Sequence, residues 1–141
     1  MNPRAKKIKI TKIIKKFKTH GLICVICVVD GRHYTGYVGV PKYHPLYGKD
    51  YDYATKYVEC HGGLTYSGKK VLNFKPRNTW FFGMDFAHAF DVCKGIYITN
   101  PHHPPTHPTI KPLVWTIKEV EREVRHLAKQ LKLENLLAKN L

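Results

Sequence analysis

Two stretches of this chain mix side chains that do chemistry with glycine and large apolar residues. One is Cys60-His61-Gly62-Gly63-Leu64-Thr65-Tyr66-Ser67-Gly68; the other runs from Trp80 to Asp91, WFFGMDFAHAFD. A core strand has little use for His-Gly-Gly, and an exposed loop has little use for Trp-Phe-Phe. The mixture suits polar groups at the floor of an apolar pocket, with glycine letting backbone approach a ligand. His61, Asp85, His88 and Asp91 supply two imidazoles and two carboxylates, which could move protons or hold a divalent cation. The D-x-x-H-x-x-D spacing lacks the strictness of a zinc motif. The plainer alternative is that Asp85 caps a helix and the histidines bond backbone. No metal is assigned on this basis, and the sequence requires no cofactor.

Around that set stand groups suited to an anion. Thr65, Tyr66 and Ser67 follow the Gly62-Gly63 pair and could offer hydroxyls, with backbone amides, to phosphate or sugar oxygens. Lys42, His44, Lys49 and Tyr51 lie in the loop from Pro41 to Asp52, and loops held by rigid strands often carry function. Tyr43, Tyr47, Trp80 and Phe82 could stack a base. A turn with hydroxyl caps and a solvated loop are the plainer alternatives. His102-His103-Pro104-Pro105-Thr106-His107 is metal-binding by composition, but its prolines favour a surface loop. Cys24-Val25-Ile26-Cys27 has the spacing of a metal or redox pair, yet it sits in the apolar run Leu22 to Val29. On a strand, residues three apart face opposite ways, so buried thiols are expected there. Cys60 adjoins His61 and is expected to face away from it.

The elements that position these residues follow from pattern. Residues 5–20 alternate Ile with Lys, which fits a half-exposed strand, while Ile10, Ile13, Ile14 and Phe17 fit a helix face equally well. Leu22 to Val29 reads as a buried strand, Asp30-Gly31 as a two-residue hairpin turn, and Tyr34 to Val40 as the return strand. Tyr57 to Cys60 and Asn78 to Met84 read as further strands, the latter central. Phe86 to Cys93 reads as a short helix or irregular turn, and the proline-rich stretch 100–112 as loop. Thr116 and Glu119 form a capping box ahead of an amphipathic helix over about 117–132. Residues 133–141 either continue that helix or form a second short one. Leu136, Leu137 and Leu141 there offer a contact for a homo-oligomer. Strands first and helix last predict a single α+β domain over 21–141, an antiparallel sheet packed by a long C-terminal amphipathic helix, preceded by a basic strand or arm over 1–20.

The chain has 141 residues, 43% apolar, and a net charge of +14. That length and apolar content support one folded domain. No apolar run is long enough for a membrane span, and no signal peptide is evident, so the cytoplasm is the expected compartment. Arg4, Lys6, Lys7, Lys9, Lys12, Lys15, Lys16 and Lys18 all precede the first acid, Asp30. Residues 4–18 could therefore hold nucleic acid or another polyanion by counterion release.

Several of these residues also resemble a family of small, mostly uncharacterised proteins of tailed bacteriophages. The resemblance covers about residues 22–131. It is carried by Gly36-Tyr37-Val38-Gly39-Val40-Pro41, His44-Pro45-Leu46-Tyr47-Gly48-Lys49-Asp50-Tyr51, His61-Gly62-Gly63-Leu64-Thr65-Tyr66-Ser67, and Trp80 to Asp85 with Ala87-His88-Ala89 and Asp91. The chain departs from the pattern at Phe86, where relatives carry Cys, and at Phe90, where Gly is usual. The resemblance implies a phage accessory protein acting in the host cytoplasm. With the residues above, the leading expectation is a binder of a small phosphorylated or nucleotide-like ligand, in one version sequestering a host immune-signalling nucleotide. Two other classes stand beside it. One is a metal-dependent hydrolase of a phosphodiester or N-glycosidic bond. The other is a protein or nucleic-acid binder using the basic arm, such as an inhibitor of a host nuclease complex.

Overall fold

The computed structural model describes residues 11–86, 91–93 and 113–137, with 91–93 and 113–114 described by their backbone alone. Strand β1 (Thr11–Thr19) turns through His20-Gly21 into β2 (Leu22–Val29), which turns back into β3 (His33–Pro41). Both turns need left-handed backbone: φ is 53° and 74° at His20 and Gly21, and 52° and 63° at Asp30 and Gly31. The Arg32 amide closes the second turn on the Val29 carbonyl, and pairing resumes at Val29 with His33. That hairpin loop therefore has one residue more than the two-residue turn expected from Asp30-Gly31. The β1 register settles the strand-or-helix ambiguity of its lysine-isoleucine alternation in favour of strand. Pairing with β2 supplies backbone partners that an isolated helix with unpaired lysines could not match.

After β3 the chain makes a short helix, α1 (Tyr51–Ala54), and then β4 (Tyr66–Gly68) and β5 (Thr79–Asp85). The sheet order is β1-β2-β3-β5-β4, all antiparallel, so β5 lies inside the sheet as its apolar run predicts. A separate parallel pair joins β6 (Asp91–Cys93) to β7 (Leu113–Trp115). Of the stretch from Phe86 to Cys93 expected as a short helix or irregular turn, Asp91–Cys93 is strand and residues 87–90 lie outside the described residues. Tyr57 to Cys60 is irregular rather than a strand.

Helix α2 (Ile117–Leu131) covers one sheet face, and α3 (Leu133–Leu137) follows it after a break at Lys132. Thr116 Oγ1 accepts the Glu119 amide, and the Glu119 carboxylate accepts from the Thr116 amide, which completes the expected capping box. Val120, Val124, Leu127 and Leu131 bury one stripe of α2 against Cys24, Ile26, Val38, Phe82 and Met84. Gly36 makes this approach possible, because a Cβ there would stand 2.5 Å from Val124 Cγ2. A charged tie joins edge strand to helix: the Glu121 carboxylate accepts from Lys15 at 2.6 Å and from Arg125 at 2.7 Å. The Lys15 ammonium, followed by the Arg125 guanidinium, holds the Glu121 carboxyl below its ordinary value. A smaller cluster on the opposite face joins Val25, Cys27, Val71 and Phe81. The chain is thus the expected α+β domain, and no described helix is long and apolar enough to cross a membrane.

Candidate functional site

The residues singled out in the sequence divide among three places. The first is the edge where the loop after β3 meets β4. The Asp50 carboxylate accepts the Tyr51 amide at 2.9 Å, and Ser67 Oγ lies 3.0 Å from that amide and 3.2 Å from the carboxylate. The Trp80 indole N–H donates to the Lys49 carbonyl at 2.9 Å, and its ring tilts against Tyr47. The Lys49 ammonium rests over the Tyr53 ring at 5.2 Å. Lys49, Tyr51, Ser67 and Trp80 therefore do converge, and their bonds fasten the loop to the sheet. Lys42 is exposed at the start of the same loop.

His44 lies in the same loop but points into the core and is only 4% exposed. Its Nδ1 accepts the Leu46 amide at 3.0 Å, and its Nε2 donates to the Leu131 carbonyl at 2.7 Å. An amide only donates and a carbonyl only accepts, so this pair of bonds fixes the neutral Nε2–H tautomer. Burial also pushes the imidazole below its ordinary value. Both ring nitrogens are committed to backbone, so His44 joins loop to helix instead of facing a ligand.

The second place gathers aromatic rings. His61 lies parallel to Phe86 at 5.3 Å, and Trp115 meets both rings edge-on at 4.6 Å. Gly62 and Gly63 turn the chain beneath it with φ of 68° and 80°, closed by the Gly63 amide on the Cys60 carbonyl. The Thr65 amide then donates to the Gly83 carbonyl, while its side chain is exposed. Burial, followed by the nearby Glu123 charge, pushes the Cys60 thiol up to about 11. A thiol so raised is a poor nucleophile at neutral pH.

The third place is the sheet face opposite α2. Asp85 pairs with Thr35 in the register, so it shares that face with Tyr37, while Phe86 and the His61 stacked on it lie on the helix side. His61 and Asp85 consequently lie on opposite sides of the sheet. Adjacent strand residues face opposite ways, and Asp85 and Phe86 obey that alternation. His88, the tract His102–His107 and residues 4–9 of the arm lie outside the described residues, as does the Asp91 side chain. Among the described residues, no group of three His, Cys, Asp or Glu comes together as a metal site. Cys24 and Cys27 are buried in the two different clusters, as the strand spacing predicts.

The opposite face also holds a groove of about 510 Å³ lined by Thr11, Tyr37, Tyr66, Lys70, Val71, Leu72 and Asn73. Its floor is a pair of tyrosine rings set edge-to-face, 5.5 Å apart and 87° between planes. Gly83 lets the Tyr37 ring lie across its strand, since a Cβ there would come within 2.6 Å of that ring. The Tyr66 hydroxyl donates to the Lys70 carbonyl, fixing the ring and the segment that forms the rim. Burial pushes the Tyr37 phenol up, with the Asp85 carboxylate adding to the shift. Among the described residues, Tyr66 is the expected ligand-binding residue that lines this groove. Tyr37, Lys70, Asn73 and Thr11 were not singled out for a site, because only the strand register shows that Tyr37 and Tyr66 flank Gly83 on one face.

Comparison with protein-family models, curated proteins and solved structures found no match to this chain.

Proposed function

We propose that the protein binds a small phosphorylated, nucleotide-like ligand in the Tyr37–Tyr66 groove. The observation that carries this reading is the paired tyrosine floor beneath a groove rimmed by Lys70, Asn73 and Thr11. Its volume falls within the range of roughly 300–1,000 Å³ usual for small-molecule sites. A base would stack on the exposed part of the tyrosine pair. The Lys70 ammonium would meet phosphate, and Asn73 and Thr11 would hydrogen-bond the polar edge. The site is thus the ligand class expected from sequence, moved to the face opposite the His61 turn.

The lining residues include no imidazole and no carboxylate. Donors and rings suit holding a ligand better than general acid–base turnover. Taken with the phage-family resemblance, the reading makes this a phage accessory protein that sequesters a nucleotide of the host in its cytoplasm.

Calorimetric titration with mono- and dinucleotides, linear and cyclic, tests it. A ligand present at about 100 times its Kd should stabilise the fold by about 2.7 kcal/mol. Lys70→Ala should weaken phosphate-bearing ligands about tenfold and leave the matching nucleosides unchanged. No heat and no thermal shift across the panel at millimolar concentration would sink the reading.

A further inference from the structure

The groove opens onto a lysine-rich surface. Lys16 and Lys18 pair with Val25 and Ile23, residues of the cluster opposite α2, so both lysines project on the groove side. The segment after β4 seats Val71 and Phe74 in that same cluster and carries exposed Lys69, Lys70, Lys75 and Arg77 across the face. No acid occurs between Thr11 and Val29 or between Tyr66 and Asn78. Glu119, Glu121 and Glu123 instead ride on α2, which packs on the other face. Cations and rings also alternate in space. The Lys16 ammonium lies 4.6 Å from the Phe74 ring centre, and Lys70 rims the groove floored by Tyr66.

We propose that the cationic surface around this groove binds single-stranded nucleic acid, with bases on the Tyr37–Tyr66 pair and phosphates along Lys16, Lys18, Lys70 and Lys75. The proposal rests on the groove as a base site and extends the ligand from one nucleotide to a strand. Charge complementarity selects a polyanion, and the spread of charge selects its length. Lys16 and Lys18 on β1, with Lys70 and Lys75 on the segment that meets β1 across the face, together call for several phosphates rather than one. The floor rings select a single strand, because only unpaired bases offer a face for stacking on tyrosine. Backbone phosphate contacts and stacking carry no base code, so binding is expected to tolerate sequence.

Fluorescence anisotropy of the full chain with a labelled 20-mer of oligo(dT), its duplex with oligo(dA), and thymidine monophosphate as competitor tests the proposal. The single strand should bind at least tenfold more tightly than the duplex or the mononucleotide. Its affinity should fall with salt at a log–log slope of about −2 to −3, since each single-strand phosphate contact contributes about −0.7. The double variant Lys16→Glu/Lys75→Glu, both exposed positions, should weaken the oligonucleotide tenfold or more and leave the mononucleotide within twofold. Lys16→Gln/Lys75→Gln, with a thermal melt of each variant, guards against misfolding. Equal affinity for duplex and single strand would overturn the proposal, as would an oligonucleotide bound no better than the mononucleotide. Oligonucleotide binding untouched by either double variant would place the affinity elsewhere and overturn it too. Mononucleotide binding without any gain for the strand leaves the small-ligand reading standing alone. Strand binding without mononucleotide binding removes the small-ligand reading and supports the cationic track.

Discussion

The His44 imidazole donates through Nε2 to the carbonyl of Leu131, the last residue of α2, while its Nδ1 accepts the Leu46 amide. A helix C-terminus leaves carbonyls without intrahelical partners, and here a buried side chain from the loop after β3 supplies one. The bond ties the loop that carries Lys49 and Tyr51 to the end of the covering helix. His44→Ala would leave a buried amide and a buried carbonyl unpaired, at about 1–3 kcal/mol each. A loss of about 3 kcal/mol in urea unfolding at pH 7.5 is expected.

The same relationship sets a pH dependence. Burial lowers the folded His44 pKa below the ordinary 6.5. The unfolded chain therefore binds this proton more readily than the folded one. The His44 contribution is complete above about 6.5 and is lost as pH falls from there through the lowered folded value. Unfolding free energy should decline between pH 7 and pH 5, with a shallower decline in His44→Ala. Identical slopes in the two proteins would contradict the assigned tautomer.

Gln130 clamps the segment ahead of the His61 turn. Its side-chain oxygen accepts the Glu59 amide at 2.7 Å, and its side-chain nitrogen donates to the Glu59 carbonyl at 2.6 Å. A side-chain amide thus takes the place of a neighbouring strand. Gln130→Ala should cost about 1 kcal/mol, the usual net contribution of such bonds. Hydrogen exchange at the Glu59 amide should accelerate more than exchange within β2. Unchanged exchange at Glu59 would show that the clamp does not hold in solution.

Gly36 and Val124 set the distance between sheet and helix. Gly36→Ala places a Cβ 2.5 Å from Val124 Cγ2 and should cost about 1–3 kcal/mol through overpacking. Adding Val124→Ala should recover part of that loss, a non-additivity readable in a double-mutant cycle. Simple addition of the two costs would mean that the strain is relieved elsewhere.

The sequence showed its fold more fully than its site. The apolar stretches Leu22–Val29 and Asn78–Met84, and the Thr116–Glu119 box, act locally and are legible as two interior strands and a helix start, with the second strand observed one residue later at Thr79–Asp85. Tyr57 to Cys60 reads as a strand from its residue types, but the partner that satisfies the Glu59 backbone is Gln130, 71 positions away. His44 looked like a ligand group because a histidine in a basic loop carries no sign of the helix end that it meets. The separation of His61 from Asp85 depends on the β3–β5 register, which turns Asp85 to one face, and on the stacking of His61 on Phe86 at the other. Nothing in the spacing of Tyr37 and Tyr66 pairs them, because their meeting across Gly83 depends on β3, β5 and β4 lying side by side.

The central claim is that the Tyr37–Tyr66 groove is the ligand site. Titration of isotopically labelled protein with thymidine monophosphate, followed through backbone amide shifts, tests it most directly. Saturating shifts concentrated at Thr11, Tyr66, Lys70, Val71 and Asn73, reached only at about tenfold higher ligand concentration in Lys70→Ala, are the predicted result. Shifts concentrated instead at Lys49, Ser67 and Trp80, or at His61 and Phe86, would contradict it and return the site to the places the sequence first suggested.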